Sequence, residues 1–359
     1  DEIGQIAYLE GKNILTVRSG ESSEEITRMR IAIVGAGAIG TLMGAKLAES
    51  GQQVCFLDRQ SQVAQLRSRG ITLSSRDEGE LRIEHLMVSA DAEELEVQDL
   101  VILAVKAHHI ADAAPRLAPL LGADTTVMTL QNGLPWWYFS RHGGEYEGRQ
   151  LRSLDPEGVI QSCIDSSRVI GCVAYPAAEA LAPGIVRHVE GNRFTIGELD
   201  GRESDRCRNI AAALIEAGFK SYVIDNIRAE IWLKAWGALS FNAISALTRA
   251  TMVDICQSPP TRWLAGEMMR EAEFVANKLG IEFRHSIEKR IDGAEKVGAH
   301  KTSMLQDVEQ GNSLEVEALL GSVLELADLT DTPMPVIRSI FACTKLLDQT
   351  LSGARSAAD

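Results

Sequence analysis

An apolar strand that runs straight into G-x-G-x-x-G and on into a helix leaves a chain few folds to adopt. Residues 30–34 are Arg-Ile-Ala-Ile-Val, residues 35–40 are Gly-Ala-Gly-Ala-Ile-Gly, and residues 41–50 continue as a helix. Gly35 permits the tight turn out of the strand. Gly37 removes the side chain that would hold a pyrophosphate off the backbone. Gly40 lets the helix approach the sheet. With Ala38 and Ile39 they form a helix start whose free N–H groups and positive dipole end favour phosphate. A second strand, residues 54–58, follows at the distance of a βαβ unit. The alternative is a glycine-rich turn with no ligand.

The second strand ends in Asp58-Arg59. An acidic residue there accepts hydrogen bonds from the ribose hydroxyls of NAD, and an arginine pairs with the 2′-phosphate of NADP. Their order leaves both cofactors open at this point. The chain has 359 residues, which suits two domains. Its formal net charge of −14 argues against nucleic-acid or anionic-membrane partners, so an anionic ligand needs a local basic pocket. Six scattered cysteines with no C-x-x-C pair read as reduced thiols of a cytoplasmic protein, neither a zinc site nor a disulfide frame. No apolar run is long enough to span a bilayer. Residues 1–28 carry no signal-peptide core and read as an N-terminal extension of unassigned function, with a potential strand at residues 14–17.

Residues 61–69 read as a helix, and short β segments follow near residues 71–73 and 81–83. Residues 99–106 form an apolar strand that ends in Lys106, at the sheet edge where α/β folds bind ligands. Residues 111–121 read as helical despite Pro115. The next strand, residues 125–130, is capped by Gln131-Asn132-Gly133, and Asn132 offers both a donor and an acceptor there. Residues 134–162 look like an insertion. Its Trp136-Trp137-Tyr138-Phe139 run suits either a lid or core beneath a long loop. Residues 168–174 resume the sheet, residues 183–199 read as hairpin, residues 204–217 as a helix and residues 219–224 as a strand.

Strand signals then nearly vanish. The expected organisation is an α/β Rossmann-type dinucleotide-binding domain over residues 29–225, an all-α domain over residues 226–352 and a fraying tail over residues 353–359. Lys234 lies among Trp232, Leu233, Trp236 and Leu239, so a wholly exposed position is disfavoured. A lysine in such a setting binds a carbonyl oxygen or donates a proton, unless it snorkels to the surface. Asn242 stands about 80° round the helix from it, at ~100° per residue. A helix over residues 302–310 closes at Gly311. Asn312 and Glu315 have capping-box spacing, and Glu315 equally suits a carboxylate facing the domain cleft.

These residues together resemble the ketopantoate reductase (2-dehydropantoate 2-reductase) family over residues 29 to about 350. The carriers are the glycine motif, Val105-Lys106-Ala107, Gln131-Asn132-Gly133, Glu230-Ile231-Trp232-Leu233-Lys234 with Asn242, and Ser303 to Asp307 with Glu315. The resemblance implies NADPH-dependent reduction of ketopantoate to D-pantoate, on the route to pantothenate. It implies Lys234 and Glu315 as the catalytic pair, the lysine as proton donor and the glutamate as the substrate-binding carboxylate. Asn242 and Ser303 become polar residues of the substrate pocket, and Lys106 and Asn132 line its nicotinamide end. Arg59 matches the position that meets the 2′-phosphate, which favours NADP, with NAD kept open by Asp58. Ala238, His109 and His300 depart from residues common in the family. The same architecture acting on another 2-keto or β-hydroxy acid is therefore the second expectation, and a non-catalytic NADP(H) sensor the third. Amphipathic helices in the second domain would support a homodimer.

Overall fold

The computed structural model describes residues 28–356; the potential strand at residues 14–17 lies outside them. The first part of the chain alternates strand and helix as β1 (Arg30–Val34), α1 (Ala38–Glu49), β2 (Gln53–Leu57), α2 (Gln60–Arg69), β3 (Ile71–Ser75), β4 (Gly79–Ile83), β5 (Met87–Ser89) and β6 (Gln98–Leu103). There follow α3 (Ile110–Ala113), β7 (Leu121–Thr129), α4 (Val159–Cys163), β8 (Val169–Ala174), β9 (Ala177–Ala182), β10 (Ile185–Glu190), β11 (Arg193–Glu198), α5 (Asp205–Glu216) and β12 (Lys220–Val223). Eight strands make one sheet in the order β12-β11-β8-β7-β6-β1-β2-β5, parallel except where β11 runs against β8. The chain leaves central β1 for β2 on one side and β6 on the other. This is the reversal of strand order at which α/β sheets hold ligands.

Strand alternation sorts the core into two layers. Ile31 and Ile33 of β1 enter one hydrophobic cluster with Leu42, Met43 and Phe56, while Ala32 and Val34 enter the other. A smaller sheet, β4-β3-β10-β9, lies over α1. Covered on both sides, α1 buries seven of its twelve residues, from Gly40 to Leu47.

The remainder is helical: α6 (Ile227–Thr248), α7 (Met252–Gln257), α8 (Pro259–Lys278), α9 (Ile287–Lys296), α10 (Ser303–Gln310), α11 (Ser322–Leu329) and α12 (Pro335–Ser356), with a π-helical segment over Glu317–Gly321. Among the described residues no helix is long and apolar enough to cross a membrane. All six cysteines are free thiols.

Several expectations need correction. The strand before Lys106 stops at Leu103, because residues 107–109 turn into a 3-10 helix with Lys106 as its N-cap. The helical reading of residues 111–121 holds up to Leu120, as α3 followed by a 3-10 helix over Ala114–Leu120 with Pro119 inside it, and Leu121 opens β7. Strands β10 and β11 form no hairpin. The first pairs with β9 and β3 in the small sheet, and the second pairs with β8 and β12 in the large one. Helix α12 continues to Ser356, through the segment expected to fray. The aromatic run 136–139, left open between lid and core, is core, with Trp137, Tyr138 and Phe139 each at most 1% exposed.

That run ties the two halves together. Trp137 Nε1 donates to Thr129 Oγ1 at 3.1 Å, and Trp232 Nε1 donates to Tyr138 Oη at 2.7 Å. Arg228 of α6 donates to the carbonyls of Tyr138 and Ser140, both at 2.6 Å. One hydrophobic cluster then runs without a break from the sheet through these aromatics into α6, α8 and α11.

Candidate active site

The glycine turn sits at the strand-order reversal. Gly35 has φ +102, a conformation side chains disfavour, and a Cβ there would lie 2.7 Å from Val105 Cγ1. A Cβ on Gly40 would press on Gly35 O and stand 2.9 Å from Ala104 Cβ. Around Gly37 the reverse holds: nothing lies within 4 Å of the Cβ it lacks. Gly37 is the N-cap of α1 and no side chain caps that helix, so the first-turn N–H groups of Ala38 and Ile39 face an open cradle. This cradle fits a pyrophosphate, and a dinucleotide is the cofactor the residues suit.

Asp58 braces the cradle. Its Oδ2 accepts from Ala36 N at 2.6 Å and its Oδ1 from Arg59 N at 2.7 Å. The Arg59 side chain is exposed and makes no hydrogen bond or ion pair among the described residues. One carboxylate is thus engaged with backbone while the neighbouring cation remains available to a phosphate.

Across the strand ends, Lys234 projects from α6. Its Nζ donates to Ala174 O, the last residue of β8, at 2.6 Å. Burial pulls its pKa down from 10.5 to about 8, against the raising influence of Glu315 and Cys172. The ammonium points to the sheet half and not to bulk solvent.

Glu315 precedes the π-helical segment. Capping-box spacing predicts that its carboxylate folds back onto its own helix, and it does not. Oε1 accepts from Ala107 N at 3.1 Å and Oε2 from Asn132 Nδ2 at 3.4 Å. Burial raises its pKa, partly offset by these donors and by Lys106. Asn132 reaches it because Gly133, at φ +80, lets the loop lie on the π-helical backbone, where a Cβ would stand 3.0 Å from Leu319 N and closer still to Ala318. Leu134 N seals the contact by donating to Ala318 O at 2.9 Å.

Lys106 is not free. Its Nζ pairs with Asp307 Oδ1 of α10 at 2.5 Å and donates to Ser313 O at 3.3 Å. Burial raises the Asp307 pKa, and Lys106 counters it. Asn242 and Ser303 meet each other, Nδ2 to Oγ at 3.3 Å.

Residue spacing left other members of the site unassigned. Asp307 is one. Tyr175, next to Ala174, donates to Glu230 Oε1 at 2.6 Å, one helical turn before Lys234, and Arg193 stacks on its ring at 3.8 Å. The signal for Asp307 was an acid inside the apolar stripe Met304, Leu305, Val308. Tyr175 and Arg193 gave none, because strand pairing alone brings them together.

The assembly places an ammonium of lowered pKa and a buried carboxylate where sheet and helices meet, beside a phosphate cradle. Such an ammonium can hold and protonate an oxygen that gains negative charge.

Comparison with known proteins gives the same direction. The family model described as Ketopantoate reductase PanE/ApbA matches residues 31–201, and its C-terminal counterpart matches residues 226–348. A curated 2-dehydropantoate 2-reductase of Mesorhizobium japonicum is 46% identical over 320 residues, 89% of this chain and 98% of that one. The crystal structure of a putative ketopantoate reductase from Ralstonia solanacearum MolK2 superposes with TM-score 0.85 at 36% identity, covering 89% of this chain and 98% of its own. A 2-dehydropantoate 2-reductase from Geobacter metallireducens superposes with TM-score 0.78 at 26% identity, covering 88% and 99%.

Proposed function

The chain belongs to the ketopantoate reductase family, and from that premise we infer that it reduces 2-dehydropantoate to D-pantoate with NADPH. The observation that carries this reading is the Lys234 ammonium, hydrogen-bonded to Ala174 O at the strand ends and electrostatically coupled to Glu315. Bound NADPH supplies the hydride. Gly35, Gly37, Ala38, Ile39 and Gly40 hold its pyrophosphate, and Arg59 its 2′-phosphate. Asn132 and Lys106 border the nicotinamide end.

As the carbonyl carbon takes the hydride, its oxygen becomes an alkoxide. Lys234 stabilises that charge and transfers its proton to the oxygen, so the product leaves as a neutral alcohol. Asn242 and Ser303 orient the acid, and Glu315 accepts a hydrogen bond from the remote hydroxyl. The experiment is NADPH oxidation with ketopantoate against a panel of other 2-keto acids. Fastest turnover of ketopantoate is expected. Cofactor binding without turnover of any 2-keto acid would overturn the reading.

One observation favours a second reading, the reduction of a different 2-keto acid. Ala238, one turn after Lys234, puts a methyl group where many family members present an asparagine to substrate. The same panel separates the two. A homodimer formed through the helical half is the assembly we infer.

A further inference from the structure

Arg290 of α9 is an anomaly in this helical half. Its Nε is shielded from solvent with no hydrogen-bond partner. Among the described residues its guanidinium forms no ion pair, and burial lowers its pKa. The residue as a whole is only partly buried, so its terminal nitrogens remain accessible to a ligand, while a partly desolvated guanidinium without a counter-charge favours one that supplies it.

Its position says where that charge belongs. The guanidinium lies against Gly237: a Cβ there would stand 2.8 Å from Arg290 Nε and 2.9 Å from its Cζ. Gly237 is three residues after Lys234 on α6, about 60° round the helix at ~100° per residue, and directly precedes Ala238. The ionisable groups that feel its charge are Tyr175, adjacent to the carbonyl that holds Lys234, and His285, just before its own helix. Gly237, on the helix that carries Lys234, and Tyr175, next to the carbonyl that Lys234 bonds, thus set the guanidinium beside the Lys234 crevice. Gly237 makes the room, and Ala238 leaves the adjoining helix surface without a polar group.

We propose that Arg290 is a specificity-determining residue that pairs with the carboxylate of the 2-keto acid substrate in the space that Gly237 leaves open. This rests on the reductase reading for the identity of the acid. Arginine suits the task because its planar fork meets a carboxylate through two parallel N–H donors. The substrate then lies between that fork and the Lys234 ammonium, with its carboxylate fixed and its carbonyl free to receive hydride.

The test is calorimetric binding of D-pantoate, and of its uncharged lactone, to the NADP-loaded protein, for wild type, Arg290→Gln and Arg290→Lys. The expected result is a loss of pantoate affinity of ~10- to 100-fold in Arg290→Gln, partly restored in Arg290→Lys, with lactone affinity unchanged. The KM for the keto acid rises in parallel while kcat and the Kd for NADPH stay within a few-fold. Tm does not fall markedly, because the partly buried guanidinium has no hydrogen bond or ion pair among the described residues to lose. Equal losses for acid and lactone, or unchanged pantoate binding, or a marked fall in Tm, would each overturn the proposal. Binding needs no turnover, so a wild type that reduces no 2-keto acid sinks the reductase reading without deciding this one. Gly237→Ala, which displaces the guanidinium but keeps its charge, is expected to raise the KM as well.

Discussion

Lys234 is the side chain whose surroundings do most to set its chemistry. Desolvation lowers its pKa to about 8, so the ammonium that we propose as proton donor is present below that value and is lost above it. In the reducing direction kcat/KM for the keto acid is therefore expected to fall as pH rises through about 8. A stopped-flow pH profile checks this. A Lys234→Arg variant should lose that limb, since arginine stays protonated across the range. A profile flat up to pH ~10 would contradict the assignment. At this scale the chain was partly legible. Periodicity showed that Lys234 sits among apolar neighbours, and the Asn312–Glu315 spacing raised the capping box as the rival role for Glu315. The carboxylate turned instead to Ala107 N and Asn132, groups more than 180 residues away in sequence. No local pattern carries that information.

Among the elements, the β1–α1 junction is the one the sequence announced most fully, because its constraint is local. Two glycines of that turn are required for opposite reasons, and the contrast is testable. Gly40→Ala forces a Cβ onto Gly35 O and Ala104, an overpacking cost of ~1–3 kcal/mol that lowers Tm and NADPH affinity together. Gly37→Ala meets nothing within 4 Å, so stability should stay within ~0.5 kcal/mol while NADPH binding weakens, as the methyl occupies the phosphate cradle. Differential scanning fluorimetry with a cofactor titration separates them. Equal stability losses in both would refute the cradle. Elsewhere local signals failed at pairing. Alternation over residues 183–199 found two strands, but which sheet each joins is set by contacts to Thr72 and Val173, far off in the chain.

The whole molecule is two halves joined by one core. The aromatic run 136–139, ambiguous between lid and filler in sequence, is the joint. The Tyr138 hydroxyl accepts the Trp232 indole N–H, while its backbone carbonyl and that of Ser140 accept from the Arg228 guanidinium. Tyr138→Phe leaves that buried N–H without a partner and is expected to cost ~1–3 kcal/mol, read as a lower urea midpoint in a transition that stays single. Two separated transitions in the wild type would show that the halves fold independently. The rigid joint matters because it holds a lysine from the helices against the strand ends. Steady-state NADPH oxidation with ketopantoate, wild type against Lys234→Ala, examines that arrangement without intermediaries. A loss of roughly 2–4 kcal/mol of transition-state stabilisation, about 30- to 1000-fold in kcat at unchanged NADPH affinity, is expected. A kcat within a few-fold of wild type would contradict it.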